Sequence, residues 1–250
     1  MPAIDIDYTR HYRKWHDTSE EHATGMAAHI GRLIWPHLSP ETMGPALDVG
    51  CGMGFAMRAL RCVGYSDIEG IDRDAGQVAG ARSLGLAATE VRDTQAWLRA
   101  RRKHYAVVLC LDVIEHVPVE DQLPFVHAMQ EALLENGRLI CTVPNANSAL
   151  AARWRYIDWT HTSSFTEPSL DLLLYSAGFR DIRIVPGEVE RRLPMPWLPR
   201  KAWAVHLAWR ACRAFRRLEL MAELGAAQAR HIPLSLNLLA VASRQPMDTR

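Results

Sequence analysis

Between residues 46 and 185, short apolar runs alternate along the chain with longer segments of helical spacing. Such runs, bounded by glycine, proline or acidic residues, are typical of buried strands. Their apolar character is continuous, as in parallel strands that helices cover on both faces. The pattern therefore predicts an α/β fold with a doubly wound, mostly parallel sheet. The predicted strands are 46–49, 68–72, 87–91, 105–112, 136–145 and 180–185, with a last one at 234–242.

We expect one domain over residues 1–250, because this length suits a single α/β unit with additions. The core is predicted at 46–185 and the last strand at 234–243. Residues 1–40 are predicted to form an N-terminal helical cap. Residues 186–233 form an insertion before the last strand. This insertion is too long for a structureless connection, so we expect it to be largely helical.

The insertion carries an amphipathic pattern between residues 200 and 224. Arginines occupy the positions between its apolar residues, and a basic amphipathic helix can lie on a membrane surface. It can equally pack on its own domain or on a partner subunit, so peripheral membrane contact through 200–224 is one of three open uses, and the oligomeric state is open too. The apolar stripe, at spacings of three and four, consists of Trp203, Leu207, Ala211, Ala214, Leu218 and Met221.

A glycine-rich turn follows the first predicted strand. That strand contains Asp48, and glycines stand at 50, 52 and 54. Glycine permits positive φ and leaves room for a ligand to approach the backbone. The spacing does not fit the Gly-x-Gly-x-x-Gly fingerprint of dinucleotide sites or the phosphate loop, which argues against a nicotinamide dehydrogenase. An acid at this position repels phosphate and suits a ligand that carries an ammonium group, such as S-adenosylmethionine (SAM).

Several segments resemble motifs of the class I SAM-dependent methyltransferases. Residues Leu47 to Gly54 resemble motif I of this family. Asp112 to Val117 resemble its "D-x-x-E-H-V" segment after the fourth strand, and 136–145 match its fifth strand. The resemblance covers Ala46 to Val185 in the correct order. It implies a Rossmann-like fold of seven strands, SAM as methyl donor and S-adenosylhomocysteine as product.

The resemblance also implies roles for individual residues. Asp72, at the end of the second strand, corresponds to the acid that binds the ribose hydroxyls. Asp93 corresponds to the acid on the adenine side. The full cofactor site implied in this way comprises Asp48, Gly50, Cys51, Gly52, Gly54, Asp72, Arg73, Asp93, Leu111 and Asp112.

Two histidines are candidates for a general base, which an alcohol acceptor needs because it loses its proton during attack. His116 follows the fourth strand, and His161 lies in the loop after the fifth strand beside Asp158. We expect His116, His161 and Asp158 to be the catalytic residues. The alternatives are that His116 braces the turn and that His161 fastens the loop by bonding to Asp158. The spacing of the nearby acids does not require a metal ion, so none is expected.

The most specific functional hypothesis is O-methylation of a sugar, a glycan or another small hydroxylated acceptor. The stretch around His161 resembles methyltransferases of bacterial polysaccharide and glycan gene clusters, and ubiquinone-type O-methyltransferases are similar as well. A quinone, natural-product or lipid-like acceptor is the alternative within enzymes. A non-catalytic SAM-binding subunit is the alternative of another class.

Charge and cysteine content narrow the setting. The net charge is +1, which gives no reason to expect nucleic acid as a partner. The five cysteines lack C-x-x-C spacing and read as small hydrophobic residues in a reducing compartment. The N-terminus is polar and acidic, without the apolar region of a secretory signal. A cytoplasmic location is therefore expected.

Overall fold

The computed structural model describes residues 8–189 and 200–245. They form a seven-stranded sheet in the order β3-β2-β1-β4-β5-β7-β6. The five N-terminal strands pair in parallel, and β7 runs antiparallel between β5 and β6. The predicted Rossmann-like, mostly parallel sheet is confirmed. The strands are β1 (Ala46–Val49), β2 (Ile68–Asp72), β3 (Ala88–Glu90), β4 (Tyr105–Leu111), β5 (Leu133–Pro144), β6 (Arg180–Pro186) and β7 (Asn237–Ser243).

Helices cover both faces of this sheet and explain why its central strands are apolar throughout. All four residues of β1 are buried, as are the first six of β4. The core is divided by the sheet into two main clusters of apolar side chains. The helices are α1 (Tyr8–Tyr12), α2 (Glu20–Ile34), α3 (Phe55–Cys62), α4 (Ala75–Ser83), α5 (Thr94–Arg99), α6 (Val119–Ala132), α7 (Ala151–Tyr156), α8 (Glu167–Ser176), α9 (Arg200–Leu224) and α10 (Ala226–Ala229).

The sheet positions a site at the carboxyl ends of β1, β2 and β4. Strand β1 lies between β2 and β4. From β1 the chain adds β2 and β3 on one side, and it then returns to add β4 and β5 on the other side of β1. A crevice opens where the strand order reverses, and this is where ligands bind in doubly wound sheets. The glycine turn after β1 and the 3₁₀ helix Ile114–His116 after β4 both stand at this edge.

Strand ends differ from the predicted boundaries by a few residues. The last strand begins at Asn237 rather than at residue 234. The reason is that the preceding residues serve a loop: the buried Asn145 amide donates to the carbonyls of Pro233 (2.9 Å) and Ser235 (2.8 Å). These carbonyls therefore face a side chain and not a neighbouring strand.

The N-terminal cap lies over the carboxyl edge of the sheet. Thr9, in α1, donates from Oγ1 to Asp74 Oδ1 (2.5 Å) and from its backbone nitrogen to Asp74 Oδ2 (3.2 Å). Asp74 is also the N-cap of α4, where it accepts from the Gln77 nitrogen. A single carboxylate therefore fastens α1 to the start of α4. Residues 1–7 of the predicted cap lie outside the described residues.

The insertion is largely helical where it is described, and several arginines of α9 are directed toward its own domain. Arg213 pairs with Glu188 (2.8 Å), and Arg217 donates to the Ile232 carbonyl (2.8 Å). Leu207 and Leu218 of the predicted apolar stripe are instead exposed. The helix thus packs with these arginines inward and part of its apolar stripe outward. Among the described helices, none has the length and apolar character needed to cross a bilayer.

Candidate functional site

The turn after β1 is shaped by three glycines with different surroundings. Gly50, Gly52 and Gly54 have φ values of +72°, +52° and +83°, the left-handed region that other residues avoid. A Cβ at Gly50 would meet Val113 at 2.4 Å, and one at Gly54 would meet Leu86 at 2.3 Å. Both glycines therefore serve close packing.

Gly52 differs because its missing side chain would face polar groups. A Cβ there would lie 3.3 Å from Gln77 Oε1 and 3.9 Å from the Tyr12 hydroxyl. Gln77 is buried, and neither of its side-chain polar atoms has a partner among the described residues. Buried polar atoms without partners are costly and mark a place where a ligand completes the hydrogen bonding. This is the position where a polar ligand can approach the backbone.

Two carboxylates flank this turn. Asp72 Oδ2 accepts from the Gly52 nitrogen (2.9 Å), and Asp72 Oδ1 accepts from the Asp74 nitrogen (2.9 Å). Asp48 is buried inside β1, and its Oδ2 has no partner among the described residues. Burial, together with the Asp72 charge, raises the pKa of Asp48 to about 8. A cationic ligand here would favour the charged form of this acid pair.

The remaining residues implied for the cofactor site are spread along the same edge. Asp93 follows β3, is exposed, and caps α5 by accepting from the Ala96 nitrogen (2.9 Å). Arg73 is exposed after β2, and Cys51 is buried within the turn. Leu111 ends β4. All stand at carboxyl ends of strands, so they bound one crevice, while Asp93 has a structural role besides any ligand contact.

Asp112, directly after β4, has a strained backbone and one carboxylate oxygen bonded to neighbouring strands. Its φ is +55°, uncommon for a residue with a side chain and often found at functional sites. Its Oδ1 accepts from Thr142 Oγ1 (2.8 Å) and from Asn237 Nδ2 (2.8 Å). These bonds direct the carboxylate toward β5 and β7.

Tyr12 of the cap completes the cofactor crevice. Burial and the carboxylates of Asp112, Asp48 and Asp72 raise the pKa of Tyr12, so its hydroxyl keeps its proton. It therefore provides a neutral hydrogen-bond donor near the glycine turn. The neighbouring Arg13 is exposed.

The crevice fits SAM by its residue chemistry. A ligand with an ammonium group finds the acids Asp48 and Asp72. A ligand with polar hydrogen-bonding groups finds the unpartnered Gln77 amide beside Gly52, where a side chain is absent. A phosphate would oppose the ionisation of these two acids, so the crevice does not suit it.

A second group of side chains lies after β4 and β5. Glu115, His116 and His161 each have a ligand-type atom within 4.8 Å of the others, and the two imidazole rings meet edge to face at 4.6 Å. Glu115 is 1% exposed, and both carboxylate oxygens are buried without a described partner. Burial and Asp112 raise the pKa of Glu115 well above its usual value, so it favours the neutral acid.

Hydrogen bonds fix the tautomers of both rings. His161 Nδ1 lies 3.0 Å from the Trp154 carbonyl, which can only accept, so Nδ1 carries a hydrogen and Nε2 has the lone pair. His116 Nδ1 lies 2.7 Å from Thr160 Oγ1, and this hydroxyl donates to Asp158 Oδ1 (2.8 Å). His116 Nδ1 must therefore donate as well.

These bonds bear on the two structural alternatives drawn from the sequence. The alternative in which the His161 ring bonds to Asp158 does not hold, because the ring Nδ1 donates to the Trp154 carbonyl. Asp158 serves His116 through Thr160, and it also accepts from Tyr8 of the cap. Burial and the neighbouring His161 lower the pKa of His116 to about 4, which makes it a weak base near neutral pH.

The sequence singled out His116, His161 and Asp158 but did not give Glu115, Thr160 or Gln77 a role. Three closely spaced donors, one acid and two imidazoles, have the chemistry to hold a divalent ion. The expectation of no metal is therefore open at this cluster. No sequence spacing signals it, because His161 reaches the cluster through the loop after β5.

Comparison with known proteins decides the family. Residues 14–184 match the model of a family described as a methyltransferase domain. The chain belongs to this methyltransferase-domain family. The match supports the class inferred from the sequence, a SAM-dependent methyltransferase, and with it SAM as the cofactor. The matched residues include the glycine turn, Asp72, Asp112 and both histidines.

Several curated relatives of this chain share the same name. The chain is 34% identical over 107 residues to "Ubiquinone biosynthesis O-methyltransferase" of Pectobacterium carotovorum, a match that covers 41% of this chain and 44% of that protein. It is 28% identical over 151 residues to the protein of the same name from Ruegeria, covering 54% and 60%. The chain thus spans about half the length of these relatives.

Solved structures share the fold. A SAM-dependent methyltransferase from Archaeoglobus fulgidus superposes with a TM-score of 0.63 at 14% identity, covering 96% of this chain and all of that one. A SAM-dependent methyltransferase from Thermotoga maritima, described as a possible histamine N-methyltransferase, gives 0.63 at 13% identity, covering 95% and 96%. At 13–14% sequence identity, these similarities support the fold alone.

Proposed function

We propose that the protein transfers the methyl group of SAM to a hydroxyl group of a small acceptor, with His161 as the general base. Bound SAM supplies a methyl group on a positively charged sulfur that is a good leaving group. The acceptor oxygen forms the new bond to the methyl carbon while the carbon–sulfur bond breaks, and its electron pair stays on sulfur. The hydroxyl proton passes to His161 Nε2.

One observation carries the proposal: two histidines with fixed tautomers and free Nε2 atoms stand at the same sheet edge as the glycine turn. A base at this edge serves hydroxyl acceptors, whereas a neutral amine needs none. The curated relatives that match the chain are named as O-methyltransferases, which supports the same acceptor atom.

His161 is favoured over His116 as the base. His116 has a pKa lowered to about 4, so it holds a proton poorly at neutral pH. His161 lies close enough to Asp112 to interact with it electrostatically. His116, Thr160 and Asp158 then act as a line of hydrogen bonds that keeps the neighbouring ring in position.

For the acceptor we propose a sugar, glycan or other small hydroxylated molecule, as the sequence around His161 suggests. The name of the relatives supports a phenol or quinol acceptor as the second candidate. The discriminating experiment offers radiolabelled SAM and the purified chain three acceptor panels: oligosaccharides, catechols and phenols, and prenylated quinols. Labelled methyl ether in one panel assigns the class. Tight SAM binding with no transfer in any panel would favour a non-catalytic subunit and contradict the proposal.

The base is tested by His161→Ala, which should lower kcat about 10²–10⁴-fold while SAM affinity stays within about twofold. His127→Ala is the matched control, because His127 Nδ1 also bonds a backbone carbonyl, that of Ala177 (3.0 Å), but on α6. Unchanged turnover in the His161 variant would remove His161 from the mechanism.

The same donors offer a metal-assisted alternative, favoured by the unpartnered Glu115 carboxylate. With His161 as base, activity should survive EDTA, and Glu115→Gln should keep kcat within about threefold, because the raised pKa already makes this side chain neutral. Loss of activity in EDTA, restored by Zn²⁺, Mn²⁺ or Mg²⁺, would assign the cluster to a metal and overturn the base.

A further inference from the structure

Helix α9 packs on its domain with several arginines on its inner side. This side is mixed, because Trp203, Trp209 and Leu220 are partly buried there beside the polar residues. Arg216 donates to the Asn147 carbonyl (3.4 Å), Arg217 donates to the Ile232 carbonyl (2.8 Å), and His206 is buried. Amphipathic helices normally bury their apolar side. Here the arginines satisfy backbone carbonyls of the domain and leave part of the apolar side facing outward.

The outward face of α9 forms a continuous apolar strip. Leu207, Phe215 and Leu218 are 60%, 64% and 61% exposed. Positions separated alternately by four and three residues define the seam of a coiled coil. Along α9 this seam consists of Ala204, Ala208, Ala211, Phe215, Leu218 and Ala222, and Leu207, Ala214 and Met221 extend it on one side.

An apolar strip of this length on a surface marks an interaction site. The helix has 25 residues and is therefore about 37 Å long. No side chain among the described residues covers the strip. The strip consists mostly of alanines with a few large residues between them, so another helix can approach it closely.

The exposed charges of α9 point to the partner. Its described exposed cations, Lys201 and Arg210, lie in the N-terminal half, and its exposed anions, Glu219 and Glu223, lie in the C-terminal half. This order opposes the helix dipole, which favours acids at the N-terminus and bases at the C-terminus. An antiparallel helix of the same sequence would place each charged end beside its opposite.

We propose that this apolar strip binds the α9 helix of a second copy of the chain, in antiparallel orientation. The two-fold axis crosses the helix near Cys212, since Lys201 and Glu223 lie eleven residues to either side of it. Eleven residues are about three helical turns, so Lys201, Cys212 and Glu223 share one edge of the helix. Each Lys201 then faces Glu223 of the other copy, and the two Cys212 side chains approach each other. This dimer is independent of the proposed chemistry.

A membrane surface fits the strip less well. Interfacial helices that bind anionic lipids carry bases along their polar flanks. The C-terminal half of α9 presents acids, and three of its arginines are engaged with the domain. Self-pairing uses both charged halves, whereas a lipid surface would repel one of them.

Sedimentation equilibrium of the full chain should show a dimer. Leu218→Glu should weaken dimerisation at least about a hundredfold, because it puts a charge in the centre of the apolar contact. Leu172→Glu is the matched control, a 65% exposed leucine on α8, and should leave the dimer intact. Lys201→Glu and Glu223→Lys should each weaken the dimer, and the double variant should regain it. Circular dichroism melting confirms that each variant is folded.

Crosslinking tests the orientation. In a Cys62→Ser background, which removes the other exposed cysteine among the described residues, a short bis-maleimide should link two copies through Cys212. Cys212→Ser should abolish the product. A monomeric wild-type chain would overturn the proposal, whether or not it floats with phosphatidylglycerol vesicles. A dimer unaffected by Leu218→Glu would overturn it as well.

Discussion

At the scale of single residues, the absence of a side chain at Gly52 leaves the space that we assign to SAM. Its Cβ position faces Gln77 and Tyr12, inside the cofactor crevice. Gly52→Val should abolish detectable SAM binding because the added side chain would occupy the ligand's place. Calorimetric titration of the folded variant measures this directly.

Gly85→Val is the control for backbone strain. Gly85 also has a positive φ, +71°, but a Cβ there would meet nothing within 4 Å. Both variants should therefore lose stability, whereas the Gly85 variant should bind SAM like the wild type. Equal loss of binding in both would mean that strain in the turn, and not a blocked crevice, explains the Gly52 result.

Asp48 gives a pH signature in the free protein. Its folded pKa of about 8 lies above its usual value of 3.8. Below the usual value both folded and unfolded forms hold the proton. Between the two values the unfolded chain releases the proton and the folded one keeps it, so stability falls as pH rises, by at most about 1.4 kcal/mol per pH unit.

Asp48→Asn removes this titration with little change in shape. The variant should therefore match the wild type near pH 4 and exceed its free energy of unfolding by a growing margin up to pH 8. Urea unfolding at a series of pH values, without SAM, provides the measurement. A constant difference across that range would show that Asp48 ionises normally in the fold.

At the scale of elements, helix α1 lies over the proposed cofactor crevice, and Thr9 attaches this helix to the start of α4. Thr9 bonds Asp74 through both its hydroxyl and its backbone nitrogen. Thr9→Val keeps the shape and removes the hydroxyl bond. It should weaken SAM binding about ten- to a hundredfold through faster dissociation, the effect of one lost hydrogen bond to a charged group.

Stopped-flow measurement of SAM dissociation tests this role of α1. Thr24→Val is the control, because Thr24 also bonds a carboxylate, that of Glu20, but on α2. A Thr9 variant with wild-type dissociation would show that α1 does not retain the ligand.

Helix α9 shows what periodicity determines and what it leaves open. The three–four spacing identified a helix over 200–224, and the structure has it at Arg200–Leu224. Periodicity does not reveal which side is buried. Here Arg213 and Arg217 bond to acceptors on the domain and turn inward, while Leu207 and Leu218 remain exposed, which the spacing alone does not show.

For the whole molecule, the strand pattern predicted the architecture because buried parallel strands appear in the sequence as continuous apolar runs. The glycine turn, Asp48 within β1 and Asp72 at the end of β2 were equally predictable, since their roles depend on local backbone and charge. The Glu115–His116–His161 cluster was only partly predictable. It depends on how the loop after β5 folds back, where Thr162 bonds the Glu115 carbonyl (2.9 Å).

The segment 190–199 of the predicted insertion lies outside the described residues. The described remainder supports the division into cap, core, insertion and last strand, which we retain as a proposal.

The decisive measurement is a crystal structure of the chain with S-adenosylhomocysteine. We expect the ligand at the glycine turn, with its amino group near Asp48, its ribose at Asp72 and its sulfur facing the His116 and His161 rings. A ligand bound elsewhere, or a sulfur directed away from both histidines, would contradict it.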